Sequence, residues 1–142
     1  MTVNTQTLIK QDLVRHEGYK EEVYLDSLGI LTSGIGHKEE GKVVGQRVSR
    51  QYVMLNFERD FNLAVSVADK AIDLEQHPTN VQRVAVNMAF NLGSTGFRRF
   101  DRMIKAIRSK DYDKAASEMV DSVWYNQVGT RSRYLVQLMR NK

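Results

Sequence analysis

Glu17, Asp26 and Thr32 are the residues whose types and spacing could do chemistry. They stand in the runs Arg15-His16-Glu17-Gly18-Tyr19, Tyr24-Leu25-Asp26 and Leu31-Thr32-Ser33-Gly34-Ile35-Gly36-His37, with eight residues between the first two and five between the last two. Two carboxyls and a hydroxyl in that order suit glycoside hydrolysis. One carboxylic acid protonates the leaving oxygen while a carboxylate works at the anomeric carbon. Such a pair needs two different environments. Glu17 falls at the C-terminal end of a predicted helix, where the macrodipole already places partial negative charge. Helical spacing also puts it on or beside an apolar face with Leu13. Both effects favour the protonated acid that a proton donor near neutral pH requires. Asp26, beside a turn, is expected to be more solvated and to stay ionised. The plainer reading of the same residues is a frayed surface glutamate and a turn-forming aspartate.

The elements that must position these groups are legible in the pattern. Leu8 or Ile9, Leu13 and His16 or Glu17 recur at helical spacing, predicting a helix over about 5–17 that stops at Gly18. Val23–Asp26 and Ile30–Ser33 read as a hairpin around Ser27-Leu28-Gly29, and Lys42–Val44 as a third strand. Thr32 alone is a favoured strand residue. Gly34-Ile35-Gly36 lacks the continuation of a phosphate loop, so its glycines point to a tight hairpin and a close backbone approach. His37 reads as a structural histidine, with Asp60 as a candidate partner. Ser49 is a candidate N-cap for a long helix to about Asp73, with Val53, Phe57, Phe61, Ala64, Ala68 and Ile72 on one face.

Pro78, the only proline, marks the clearest break. Thr79-Asn80-Val81-Gln82 has the form of a capping box. It opens a periodic helix with Val81, Val84, Ala85, Met88, Ala89 and Leu92 in one stripe, closed by Gly93. Short helices are expected at about 100–109, 112–122 and 130–140. The sum is a helix-dominant α+β chain forming one continuous fold.

The 142 residues fit one domain, without cysteine for disulfides or thiolate metal sites. No His/Asp/Glu group has metal-ligand spacing, so neither metal nor cofactor is expected. No apolar run approaches the roughly 20 residues that span a bilayer. The N-terminus has no basic start and no apolar core of a signal peptide, which predicts synthesis in a cytoplasm. Charge is uneven. Residues 1–78 carry 9 Lys/Arg against 12 Asp/Glu, a net −3, and residues 79–142 carry 12 against 5, a net +7. A basic half favours an anionic polymer: nucleic acid, an acidic membrane face or cell wall.

The Glu17, Asp26, Thr32 order with Gly34-Ile35-Gly36-His37 following resembles the phage-type lysozymes, the endolysin muramidases of tailed bacteriophages. Arg83 to Gly93 resembles that family's central core helix, and Thr95-Gly96-Phe97 with Phe100 its next turn. Trp124-Tyr125-Asn126-Gln127, followed by Arg131 and Arg133, resembles its C-terminal Trp-Tyr-Asn-Gln segment. Three blocks in the right order cover most of the chain.

The resemblance implies a lysozyme-like α+β fold: a small β-hairpin lobe (about 18–48), a connecting helix (about 50–73) and a helical lobe (about 79–142 with helix 5–17). A cleft would lie between the lobes. It implies an endolysin that cuts the β-1,4 bond between N-acetylmuramic acid and N-acetylglucosamine, with inversion. Glu17 would be the proton donor, Asp26 the carboxylate that orients the attacking water, and Thr32 the residue that holds that water. Phe90, Asn91 and Gln127 would bind substrate, with Trp124 and Gln127 packed beneath the core helix and Trp124 belonging to the core. His37 and Arg131 would support the site, Arg131 beside Glu17. The partners implied are peptidoglycan and a holin-type permeabilising protein that lets a monomer reach the periplasmic wall from the host cytoplasm, with no nucleic acid and no membrane insertion. Departures from the family pattern are Lys38, where an apolar residue is commoner, a compressed stretch from Lys38 to Ser49, and Met103 and Glu118 at positions matching polar cleft residues.

Three other functions fit parts of the pattern. A lytic transglycosylase uses a glutamate without an essential second carboxylate, and Asp26 with Thr32 argues against it. A non-cutting wall-binding module, free or in a virion, would have lost the carboxylates. A nucleic-acid binder using Arg98, Arg99, Arg102, Lys105, Arg108 and Lys110 would need those charges in a stripe, and they spread around a helix.

Overall fold

Helical periodicity accounts for most of this chain. The computed structural model describes residues 1–142 and contains seven α-helices, a short 3-10 turn and one three-stranded antiparallel sheet. The helix-dominant α+β expectation holds. The order is α1 (Val3–Glu17), β1 (Lys20–Leu25), β2 (Leu31–Gly34), β3 (His37–Lys38) and α2 (Arg50–Ile72). After the 3-10 turn Leu74–Gln76 come α3 (Thr79–Arg98), α4 (Asp101–Arg108), α5 (Tyr112–Val120), α6 (Val123–Val128) and α7 (Thr130–Arg140). No helix is long and apolar enough to cross a membrane.

The chain divides into two compact units, residues 10–63 and residues 1–9 with 64–142. In the smaller unit the core holds Leu13, Val23, Ile35, Val53, Phe57 and Phe61, all buried. β1 and β2 pair with Tyr24 opposite Thr32 and Leu25 opposite Leu31; β2 and β3 pair with Thr32 opposite Lys38 and Ser33 opposite His37. The expected third strand at 42–44 is not there. The turn at Gly34–Gly36 folds the chain straight back, so His37 and Lys38 take the free edge of β2. Residues 45–48 instead run along the other edge of β1, where Val23 N–H donates to Gln46 O (2.9 Å) and Gly45 N–H to Val23 O (2.8 Å). That covers an edge which would otherwise expose unpaired backbone groups. The α2 cap is as read: Tyr52 N–H donates to Ser49 Oγ at 3.1 Å.

In the larger unit, α3 is buried almost all round from Val81 to Ala89, as a central helix must be. It is interrupted at Gly93 (φ 74°, ψ 175°), a backbone region that glycine reaches without strain, and the helix resumes to Arg98. The expected stop at Gly93 is thus a kink. The capping box does not form. Gln82 Nε2 turns back to donate to Leu74 O (2.7 Å) and His77 O (3.1 Å), carbonyls of the loop that precedes α3. Trp124-Tyr125-Asn126-Gln127, given no element in the sequence reading, lies in α6.

His77 fastens the break before Pro78. Its Nε2 lies 2.9 Å from Ile72 O and its Nδ1 2.9 Å from the Tyr112 hydroxyl. A carbonyl can only accept, so Nε2 donates, and in the neutral ring Nδ1 accepts from Tyr112. His77→Ala is expected to cost about 1–3 kcal/mol by leaving buried polar groups unpaired. A fall in the urea midpoint with an unchanged slope would show it.

Candidate active site

The loop after β1 is built around Asp26 and the backbone of Ile30. Asp26 N–H donates to Ile30 O at 3.0 Å, and Gly29 N–H to Asp26 O at 2.9 Å. The Asp26 side chain closes the loop from inside: Oδ1 accepts from Leu28 N–H and Ile30 N–H, both at 2.9 Å. Thr32, buried on β2, donates its hydroxyl proton to the same Ile30 carbonyl at 2.8 Å. The backbone of Ile30 therefore holds Asp26 through its N–H and Thr32 through its C=O.

The Asp26 side chain is only 20% exposed, less solvated than its place beside a turn suggests. Burial by itself would push its carboxyl up. The Ile30 N–H, the Lys38 ammonium and the Leu28 N–H outweigh that and hold it below the ordinary carboxylate value. Asp26 is therefore kept ionised by donors rather than by water.

Glu17 is the last residue of α1 and is half-buried. Its side chain lies against the backbone of Gly36, so that a Cβ there would stand 2.5 Å from Glu17 Oε1 and 2.7 Å from its carboxyl carbon. With φ +64°, Gly36 is needed twice, for the turn and for the approach. Tyr24 links the two carboxylates. Burial pushes its phenol above the ordinary value, and the negative charges of Glu17 and then Asp26 push it further. The ammonium of Lys20 sits 4.4 Å from the Tyr24 ring centre.

Beneath the sheet, α2 holds β3 by two polar anchors. His37 Nδ1 lies 2.8 Å from Asp60 Oδ2, so the histidine has the partner its sequence context suggested. Glu39, buried, accepts from Ser33 Oγ at 2.6 Å and from the Tyr52 hydroxyl at 2.8–2.9 Å. The Tyr52 and His37 rings meet edge to face at 6.2 Å. Between the anchors Lys38 faces the other way, its Nζ 3.1 Å from Asp26 Oδ2.

The remaining candidates lie in the larger unit. Trp124, buried, donates its indole N–H to Asn91 Oδ1 at 2.9 Å and packs edge-on to Phe100 with ring centres 5.8 Å apart. It is core, as expected. Arg131 Nε donates to Asn87 Oδ1 at 2.9 Å, with Asn87 fully buried in α3. Phe90 is half-buried, whereas Gln127 is exposed on α6 and not packed beneath the core helix. Trp124 is the one residue of α6 that is buried. Met103 and Glu118 line a pocket of about 630 Å³ with Phe100, Arg102 and Trp124.

Residues 14–141 match the Phage lysozyme family. The chain belongs to that family. It is 30% identical over 159 aligned positions to the probable T4-type lysozyme 1 of Dictyostelium discoideum, covering 92% of each chain. Identity is 26% over 156 positions, again with 92% of each chain, to the probable T4-type lysozyme 2 of the same organism. It is 27% over 167 positions to the pre-baseplate central spike protein Gp5 of Enterobacteria phage T4, where 96% of this chain spans 28% of that protein. Family membership assigns the chain to the glycoside hydrolases that act on peptidoglycan.

Four residues that hold the candidate side chains escaped the sequence reading. Tyr24 was legible in principle, because a hairpin closing over 26–30 pairs position 24 with 32. Glu39, Tyr52 and Asn87 carry no such signal, since their roles depend on which elements come to lie together. Gly36→Ala tests the close approach. Left-handed strain predicts a loss of about 1–3 kcal/mol in stability. Because the added methyl also displaces the Glu17 carboxyl, lytic activity is expected to fall further than the folded fraction does at the same temperature.

Proposed function

We propose that this chain is an endolysin muramidase in which Glu17 is the general acid and Asp26, with Thr32, directs the attacking water. The observation that carries the reading is a pair of fixed carboxyls, Glu17 lying against the Gly36 backbone and Asp26 clamped by the Ile30 N–H. Glu17 would give its proton to the glycosidic oxygen between N-acetylmuramic acid and N-acetylglucosamine as that bond breaks. Thr32 spends its own proton on the Ile30 carbonyl, so toward a water it can only accept. The ionised Asp26 also only accepts. A water whose two protons point at Thr32 and Asp26 turns its lone pair outward, toward the anomeric carbon. Asp26 takes up the proton released as the new C–O bond forms. Single displacement of this kind inverts the anomeric centre.

In the larger unit, Phe90, Asn91 and Gln127 are the proposed glycan contacts. Arg131, held by Asn87, and His37, held by Asp60, would support the site. The basic character of residues 79–142 supports retention on an anionic cell wall. No metal or cofactor enters this chemistry. In the endolysin role the chain is made in the host cytoplasm, acts as a monomer on the periplasmic wall and needs a holin-type permeabilising partner. The similarity to a phage spike protein favours one second reading, a lysozyme module carried by a virion.

Incubation with purified sacculi followed by mass spectrometry of the soluble fragments tests the chemistry. Hydrated, reducible N-acetylmuramic acid ends are expected, with the α-anomer formed first in proton NMR. Anhydro ends would remove the water-directing role from Asp26 and Thr32. Glu17→Gln is expected to lower turnover by about 10²–10⁴-fold, the usual share of general acid catalysis, with an unchanged circular dichroism spectrum. A Glu17→Gln protein that still clears sacculi at the wild-type rate would overturn the assignment.

A further inference from the structure

Lys38 follows directly on the Gly-x-Gly-His run, and three observations set it apart from an ordinary surface lysine. Its backbone is fixed on both sides, because His37 is tied to Asp60 and Glu39 to Tyr52 and Ser33. Strand alternation then sends the Lys38 side chain to the opposite face from His37 and Glu39. On that face it stands opposite Thr32 in the ladder, and its ammonium reaches Asp26 Oδ2 at 3.1 Å. Oδ1 is already taken by the Leu28 and Ile30 N–H groups. Both oxygens of the carboxylate are therefore fixed, one by the hairpin's own backbone and one by the third strand.

The geometry points to Lys38 as a positioning residue: it fixes the Asp26 carboxylate in the orientation that water activation needs and sets the lower pH limit of activity. This inference rests on the muramidase reading given above. The titratable and charged groups around Asp26 are few. Lys38 reaches it from β3, Tyr24 from β1, Glu17 at the end of α1 acts on the same Tyr24, and Lys20 covers the Tyr24 ring. Lys38 is the cation within ion-pair distance of Asp26, and together with the Ile30 and Leu28 N–H groups it opposes the effect of burial. The sign follows. A carboxylate held below its ordinary value stays ionised further into acid, and removing the ammonium makes it take up a proton at higher pH.

The pair is of little use to stability. The Lys38 side chain is 54% exposed, and ion pairs at such sites contribute little to folding. What the ammonium does is orient and keep charged a group whose oxygens must face a water. It leaves that group competent, because a carboxylate oxygen carries more than one acceptor site and Oδ2 can take a water proton beside Lys38.

Lys38→Met and Lys38→Arg, assayed on purified peptidoglycan across pH alongside carbon-13 NMR titration of the Asp26 carboxyl, test this. Lys38→Met is expected to move the Asp26 titration upward and to move the acid limb of kcat/KM upward with it. Activity on the acid side falls several-fold, the plateau falls by a smaller factor because the carboxylate is less well oriented, and the melting temperature is unchanged. Lys38→Arg is expected to restore both curves. If the Asp26 titration stays where it is in Lys38→Met, Lys38 does not hold Asp26 and the inference is overturned. If the titration moves and the activity limb does not, the control of pH is overturned while the muramidase reading stands. A wild-type protein without turnover at any pH removes the muramidase reading and the pH limit with it, and the NMR titration still decides whether Lys38 holds the carboxylate.

Discussion

The backbone of Ile30 is the constraint on which the hairpin depends. Its N–H is spent on Asp26 Oδ1 and its carbonyl accepts both Asp26 N–H and the Thr32 hydroxyl. A carboxylate and a hydroxyl six positions apart in sequence are thereby held by the two backbone groups of one residue. Neither side chain can turn without breaking a hydrogen bond to it. Groups held this way are oriented before any ligand arrives, so their ordering cost falls in folding. The same bonds act on protonation: burial alone would raise the Asp26 carboxyl, and these donors hold it below the ordinary carboxylate value.

A second constraint acts on the other carboxyl. Glu17 ends a helix, a place that fixes its backbone but leaves its side chain several rotamers. Gly36 narrows that choice, because the glutamate lies where any larger residue would put a Cβ. The Gly36 turn also sets the start of β3, so one position serves the strand order and the carboxyl together. Below it, α2 presents Tyr52 and Asp60 eight residues apart, roughly two turns along one face. Those two side chains receive Glu39 and His37 and hold the short β3 strand, which two residues of ladder bonding would leave marginal.

The larger unit uses the same device in helical form. Asn87 and Asn91 sit one turn apart on α3, and their side-chain oxygens receive Arg131 Nε and the Trp124 indole N–H. Polar groups on a buried helix would cost stability if left unpaired, so their pairing fixes where α6 and α7 dock. Apolar burial supplies the driving force in both units and these few bonds supply register. The basic residues gather in this unit's sequence, leaving the acidic balance to the part of the chain that holds Glu17 and Asp26.

Much was legible before folding. The six-residue apolar face of α2, the stripe of α3, the break at Pro78, the Ser49 cap and the His37–Asp60 pair are all present as read. So is the hairpin that carries Asp26 and Thr32. Apart from the His37–Asp60 pair, which joins β3 to α2 across 23 positions, these features depend on residues within one or two turns, or on a strand period of two, and local sterics impose them. The misreadings share one cause. Lys42–Val44 has the composition of a strand, but the tight turn at Gly36 gave the edge of β2 to His37 and Lys38 first. Thr79–Gln82 has the form of a capping box, but the carbonyls of Leu74 and His77 in the preceding loop took the Gln82 side chain instead.

By itself, then, the sequence determined the elements, their buried faces and the residue types able to do glycoside chemistry, because each follows from short-range geometry along one chain. Only the tertiary structure decided that Lys38 closes on Asp26, that Tyr24 feels both carboxylates and that Gln127 faces solvent. Those outcomes depend on register and on which groups compete for the same partner. Such competition is settled by the free energy of the whole packed assembly, not by any one segment of it.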